Sequence, residues 1–206
     1  MEFFSAHCVK GRWLLEEDIH KQIVLDSLAF MVANKRIWLY GFVILPGEFH
    51  LLWQQQPAWE QRNVRQMLLK FTAHQIKHRL KAVNRRELET YRSPLRDRQF
   101  QFWERYAEAL PVTAAETVVE KLQQMHDAPV AAGLCHQPEA YRFSSAAFYE
   151  QSAAGEYGEG VFIQPHTGRG PEALAAVGRP GAASGSLFPE PMFAGLLTHY
   201  RQYFPP

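Results

Sequence analysis

Glu48 and His50 stand two residues apart in a stretch that reads as a β-strand. A period of two sets both side chains on one face, with Phe49 and Leu51 on the other. A carboxylate beside an imidazole can hold a divalent cation, and a carboxylate suits a hard ion such as Mg²⁺ or Mn²⁺. The same pair can equally be a structural hydrogen bond inside a sheet. Spacing alone leaves both readings open. His74 and His78 lie one helical turn apart, which is also compatible with a metal. No third ligand is close in sequence, so they read as part of a basic helix face.

That basic face is the second chemical feature. The chain carries a formal net charge of +1, but the charge is unevenly spread. Between residues 61 and 98 there are eleven Lys or Arg and three acids, a local excess of eight that leaves the remainder at −7. Such separation points to a surface for a polyanion, against the alternative of a merely solvated helix face. Lys70, His74, Lys77, Arg79 and Lys81 are the candidate nucleic-acid contacts.

The elements that must position these groups follow from hydrophobic periodicity. Residues 2–9 read as an aromatic-rich strand. Residues 18–33 carry Ile19, Ile23, Leu28, Met31 and Val32 at helical spacing. Residues 37–45 are β-branched and aromatic, Pro46-Gly47 marks a turn, and residues 48–54 read as the partner strand of a hairpin. A long helix follows over 60–83, then a short strand over 99–103. The last helix, 113–125, opens on a Thr113/Glu116 capping box and is stopped by Pro129. The order βαββαβα predicts an α+β, ferredoxin-like sandwich, an antiparallel sheet with helices on one face. Tyr40 and Phe42, two apart on one strand, read as core, or as stacking groups if that sheet face is open to RNA.

At 206 residues the chain has room for one domain plus a tail. Residues 1–150 form the expected domain. Residues 151–206 hold nine of thirteen glycines and seven of thirteen prolines, a composition that predicts a flexible, largely disordered tail. Apolar residues over 192–203 could give it a short docking helix or a sticky, unstructured end. Its longest apolar run is about half of what a bilayer crossing needs. The start lacks the basic residues and apolar stretch of a signal peptide. Cys8 and Cys135 fit no metal or redox spacing, so a reduced, cytoplasmic setting is the expectation.

Several blocks carry a family resemblance. The run Leu39-Tyr40-Gly41-Phe42-Val43-Ile44-Leu45-Pro46-Gly47-Glu48-Phe49-His50-Leu51-Leu52-Trp53 resembles the signature hairpin of the REP-associated tyrosine transposases, within the insertion-sequence-200-like group of single-strand DNA transposases. Leu69 to Lys77, Gln101 to Arg105, Lys121 to Val130 and Tyr141 to Ser145 resemble later blocks of that family, and they come in family order.

The resemblance implies a His-hydrophobic-His pair that binds a divalent ion, which polarises a scissile phosphate. It also implies a tyrosine on the last helix that attacks phosphorus and holds the strand as a phosphotyrosine. Carried over by position, the two motif histidines fall on Glu48 and His50. The nucleophile falls on Gln124, which has no hydroxyl, and a polar residue supporting the metal falls on Ala128. The implied protein is a transposase-like binder of single-stranded or hairpin DNA with impaired catalysis, a monomer with a dimer left open. The alternatives are an active metal-dependent strand transferase using a displaced tyrosine, Tyr106 or Tyr141, and an RNA-binding module sharing only the topology.

Overall fold

The aromatic and β-branched stretches build a four-stranded sheet. In the computed structural model, which describes residues 1–153 and 196–198, β2 (Ile37–Ile44) and β3 (Glu48–Gln55) form a hairpin around Pro46-Gly47. β1 (Glu2–His7) pairs with the other side of β3, and β4 (Glu108–Pro111) lies outside β1. The order is β2-β3-β1-β4 with every pair antiparallel, the arrangement expected of a ferredoxin-like plan.

Alternation in the central strands sorts their side chains into two layers. Phe4, Phe49, Leu51 and Trp53 face one side, where α1 (Asp18–Ala33) and α2 (Val64–Val83) pack through Val24, Leu28, Leu68 and Ile76. α2 buries Val64, Leu68, Thr72, Ile76 and Leu80, one residue in every four, so the opposite side of the helix is free for polar groups. The Asn63 side chain caps its first turn by accepting from the Gln66 amide at 2.9 Å. A short helix, α3 (Arg85–Thr90), follows it. The two crossover helices thus share one face, as expected. The last long helix, α4 (Ala115–Ala131), covers the other, setting Val118, Leu122 and Met125 on Phe3, Val43 and Leu52.

Some local expectations are corrected. Residues 99–103 form no strand: Phe102 and Trp103 are buried in the core by an irregular segment, with isolated bridges from Phe100 to Arg92 and from Trp103 to Cys8. The Trp103 indole donates to the Leu69 carbonyl and lies 3.2 Å from the Thr72 hydroxyl, so side-chain anchoring replaces strand pairing. The fourth strand is β4, an edge strand that is mostly exposed and therefore lacks a strong apolar pattern. α4 starts at Ala115 with no side-chain cap, and it runs through Pro129 to Ala131. Proline removes one amide near the end of a helix that Met125 and Pro129 already hold by burial, so the helix survives it. Gly133, at φ 68°, then takes the left-handed turn that ends it.

β2 is an edge strand, and its free side is covered. The Ile44 amide donates to the Phe143 carbonyl and the Ser145 amide to the Phe42 carbonyl, both just before α5 (Ala146–Ala153). The Thr198 amide donates to the Leu39 carbonyl at 2.7 Å, and Leu196 and Leu197 are buried in the α1–α2 core. Covering an edge in this way removes a template for pairing with another chain. The rest of the expected tail and its terminal helix lie outside the described residues. Cys8 and Cys135 are both free thiols.

The register of β2 shifts between Leu39 and Gly41, so Tyr40 and Phe42 fall into different core layers. Both are buried, at 3% and 0% exposure, and neither offers a ring to a nucleobase. Gly41 faces α4: a Cβ there would lie 2.6 Å from Leu122 Cδ2 and 3.0 Å from Met125 Cε. Gly41→Val is therefore expected to push α4 off the sheet and to destabilise the fold by about 1–3 kcal/mol, the usual cost of overpacking. A urea midpoint unchanged from the parent chain would contradict this close approach.

Candidate functional site

β1 brings two further groups to Glu48 and His50. The antiparallel register sets His7 opposite Glu48 and Ser5 opposite His50, all on the α4 side of the sheet. His7 Nδ1 lies 2.6 Å from Glu48 Oε2, and His50 Nε2 lies 3.4 Å from Oε1. On its far side His50 meets the Ser5 hydroxyl, Nδ1 to Oγ 2.8 Å. Each carboxylate oxygen therefore faces one imidazole. The hydrogen bond from His50, backed by the charges of His50 and His7, holds the Glu48 carboxyl below its usual value against partial burial. Phe3 stacks on His50 at 5.7 Å, and Lys121 of α4 sets its ammonium 5.0 Å from the Phe3 ring. Sequence reasoning missed Ser5, His7 and Lys121. The signal was there for two of them, because Phe3, Ser5 and His7 alternate onto one face of the first strand.

Gln124 is exposed on α4, and its side-chain oxygen accepts from Lys121 at 3.0 Å. Lys121, Gln124 and Ala128 share the flank of α4 one and two turns apart, and Lys121 ties that flank to the Phe3–His50 stack. Ala128 packs against the α4-side core and offers no donor atom. Among the described residues, no group of three or more His, Cys, Asp or Glu is placed to hold a metal ion. Glu48 is engaged by His7 and His50, and Gln124 by Lys121, so the residues present do not fit the divalent ion implied by the resemblance.

The two alternative tyrosines differ. Tyr141 donates its hydroxyl to the Ile44 carbonyl at 2.9 Å, and burial pushes its phenol up to about 12. Tyr106 is 81% exposed. β1 pairs Ser5 with Glu108, yet Cys8 bridges Trp103, so residues 104–107 bulge out beside His7, whose carbonyl accepts from the Glu104 amide.

The basic row is not part of this cluster. Lys70, His74, Lys77 and Lys81 lie on the outward side of α2, across the sheet from Glu48. Arg79, two residues after Lys77, turns to the half-buried side, where its Nε is buried with no partner among the described residues. Arg65 pairs with Glu2.

An antiparallel β2-β3-β1-β4 sheet with helices on both faces, carrying a carboxylate–imidazole cluster under the last helix, is an α+β arrangement of the ferredoxin-like plan. No protein-family model matches the chain, and no curated protein matches it in sequence. Among solved structures it is similar to a REP-associated tyrosine transposase bound to a REP hairpin, with 15% identity, a TM-score of 0.53, and 76% of this chain and 81% of that chain covered. It is also similar to a "putative transposase" from Deinococcus radiodurans R1, with 16% identity, a TM-score of 0.40, and 62% and 89% coverage. The likeness is one of fold, and the expectation of a transposase-like fold is met.

The other flank of α4 carries His126, whose Nε2 lies 2.9 Å from Ser145 Oγ, the group that also accepts from the Phe42 amide. Burial lowers its pKa to about 4. An unfolded imidazole takes its proton near 6.5, so between roughly pH 6.5 and 4 protons favour the unfolded chain. Stability should fall across that window, on the order of 3 kcal/mol for this one group. His126→Gln, which keeps an amide toward Ser145, should flatten that part of the curve. Equal slopes for parent and variant in urea midpoints followed from pH 7.5 to 4.5 would refute the buried neutral imidazole.

Proposed function

We propose that this chain is a DNA-binding relative of the REP-associated tyrosine transposases that grips single-stranded or hairpin DNA and has lost strand transfer. The observation that carries this reading is an acid-free basic face on α2 combined with a cluster whose carboxylate is already engaged and whose helix offers Gln124 in place of a hydroxyl. Among the described residues Lys70, Lys77 and Lys81 form no ion pair, so their charges are available to phosphates. The solved relative is bound to a REP hairpin, which makes hairpin DNA the first ligand to test. Residues 1–150 are the DNA-binding unit in this reading, acting as a monomer in the cytoplasm.

Reversing Lys70, Lys77 and Lys81 to Glu should weaken hairpin binding across sequences. It should also lower the slope of log affinity against log salt by about two to three, since each phosphate contact contributes ~0.7–0.9. Fluorescence anisotropy at several salt concentrations measures both, and an unchanged slope would mean the charges are only solvated. No covalent protein–DNA product should form on denaturing gels with Mg²⁺ or Mn²⁺ present.

One observation favours a second reading, an active metal-dependent strand transferase with a displaced nucleophile. Tyr106 is exposed and belongs to the 104–107 segment that bulges out opposite the end of β1, the strand that carries His7. In that case a Mn²⁺-dependent adduct forms, and Tyr106→Phe abolishes it while Tyr141→Phe does not. An adduct that survives both changes would eliminate the displaced tyrosine. The RNA-binding alternative finds no support at Tyr40 and Phe42, which are buried.

A further inference from the structure

The cleft between α1 and α2 lies on the same side of the molecule as the basic row, and it has a chemistry of its own. Phe30 of α1 and Phe71 of α2 stack nearly parallel, with centroids 6.4 Å apart and planes 10° apart. Both residues are nearly half exposed, at 43% and 46%. A cavity of about 360 Å³ opens beside them, floored by Met31, Met67 and Leu68 and edged by Lys70 and Arg36. That volume is within the range of small-molecule sites, ~300–1,000 Å³.

Arg36 sets the charge of this cleft. Its guanidinium lies 4.8 Å from the Phe30 ring and 4.5 Å from the Trp59 ring. Its Nε is buried without a hydrogen-bond partner, and among the described residues no carboxylate pairs with it. A cation packed between aromatic rings is held by their π faces and keeps its charge for an incoming anion. Along α2 the aromatic surface continues. His74 and His78 follow Phe71 on the same flank, with rings 4.4 Å apart, and Lys77 and Lys81 run beside them. From Phe71 to Lys81 the helix rises about 15 Å.

Exposed flat rings, cations and no acid on the helix are the features of a stacking platform for single-stranded nucleic acid. An apolar peptide would use the rings, but it would leave the cations unanswered. We propose that the α1–α2 cleft is a base-capture pocket, in which an unpaired nucleobase stacks on Phe71 and Phe30 while Arg36 and Lys70 take the adjoining phosphate. The proposal rests on the DNA-binding reading above and deepens it. The strand held along α2 must carry an unpaired base, at a hairpin loop or a single-stranded flank.

The test uses the full chain and two probes, a single-stranded oligonucleotide with one 2-aminopurine and a blunt duplex of the same length. Binding should quench the 2-aminopurine through stacking. Phe71→Ala should remove that quench and raise the Kd for the single strand about tenfold relative to the duplex, through the loss of base–aromatic stacking. Phe71→Leu keeps apolar bulk without a π face and should behave like the alanine variant, whereas Phe71→Trp should restore the quench. Thermal unfolding of each variant separates lost stacking from lost fold. If Lys77→Glu/Lys81→Glu weakens binding but Phe71→Ala changes neither quench nor affinity ratio, the pocket is refuted and DNA binding stands. If neither variant matters, both readings fail. Concentration-dependent association of the chain that Phe71→Ala abolishes, without any quench by the parent, would make the cleft a self-docking face and overturn the proposal.

Discussion

The pairing of β1 against β3 decides which chemistry each face of the sheet carries. Phe4 opposite Leu51 sends aromatic and aliphatic groups toward α1 and α2, and the intervening pairs, Ser5 with His50 and His7 with Glu48, go to the α4 side. A slip of one residue would exchange the two sets and bury the carboxylate and imidazoles against α1 and α2. The register is therefore under strong hydrophobic control, and the polar cluster is positioned as its by-product. This is why Ser5, His50, Glu48 and His7 meet at hydrogen-bond distances although they come from opposite ends of a 45-residue span.

The second layer depends on an irregularity. The register shift in β2 turns Tyr40 to the α4 side and leaves Gly41 directly against Leu122 and Met125 of α4. Ser145 then binds the Phe42 backbone and His126, so one hydroxyl ties the edge strand, the segment before α5 and α4 together. With both flanks of α4 fixed, by His126 on one side and Lys121 on the other, Gln124 is carried to the margin of the cluster by helix geometry alone.

The parts of this arrangement that were legible in the sequence are those with a strong period. The hairpin from Ile37 to Gln55 and the two crossover helices follow from alternation and from the four-residue stripe on α2. The row Lys70, His74, Lys77, Lys81 follows from the same stripe, and Arg79 drops out because two residues of helix rotate it toward the core. Phe100, Phe102 and Trp103 misled because an apolar run anchored by an indole hydrogen bond looks like a strand to any local pattern. β4 was hidden because an exposed edge strand need not alternate. Glu48 and His50 were legible as a pair. His7 as their partner was not, since only the sheet order makes the first strand their neighbour.

The cluster and the basic row stand on opposite sides of one sheet, and that separation constrains how they can act together. The sheet itself lies between α2 and Glu48. One edge is β2, covered by residues 143–145 and Thr198; the other is β4, with the exposed bulge at 104–107 beside it. Among the described residues the less covered edge is therefore the β4 side, where the 104–107 segment lies. Glu48 is in contact with His7 and His50 on the α4 side of the sheet. A carboxylate already shared by two imidazoles loses two charge-assisted contacts if it turns to an outside ion, and those contacts are the stronger kind of hydrogen bond. Both oxygens of Glu48 are thus occupied from within the sheet, one by each imidazole. The carboxylate–imidazole cluster is held together by its own hydrogen bonds, while the basic row on α2, on the far face of the sheet, shares no residue with it.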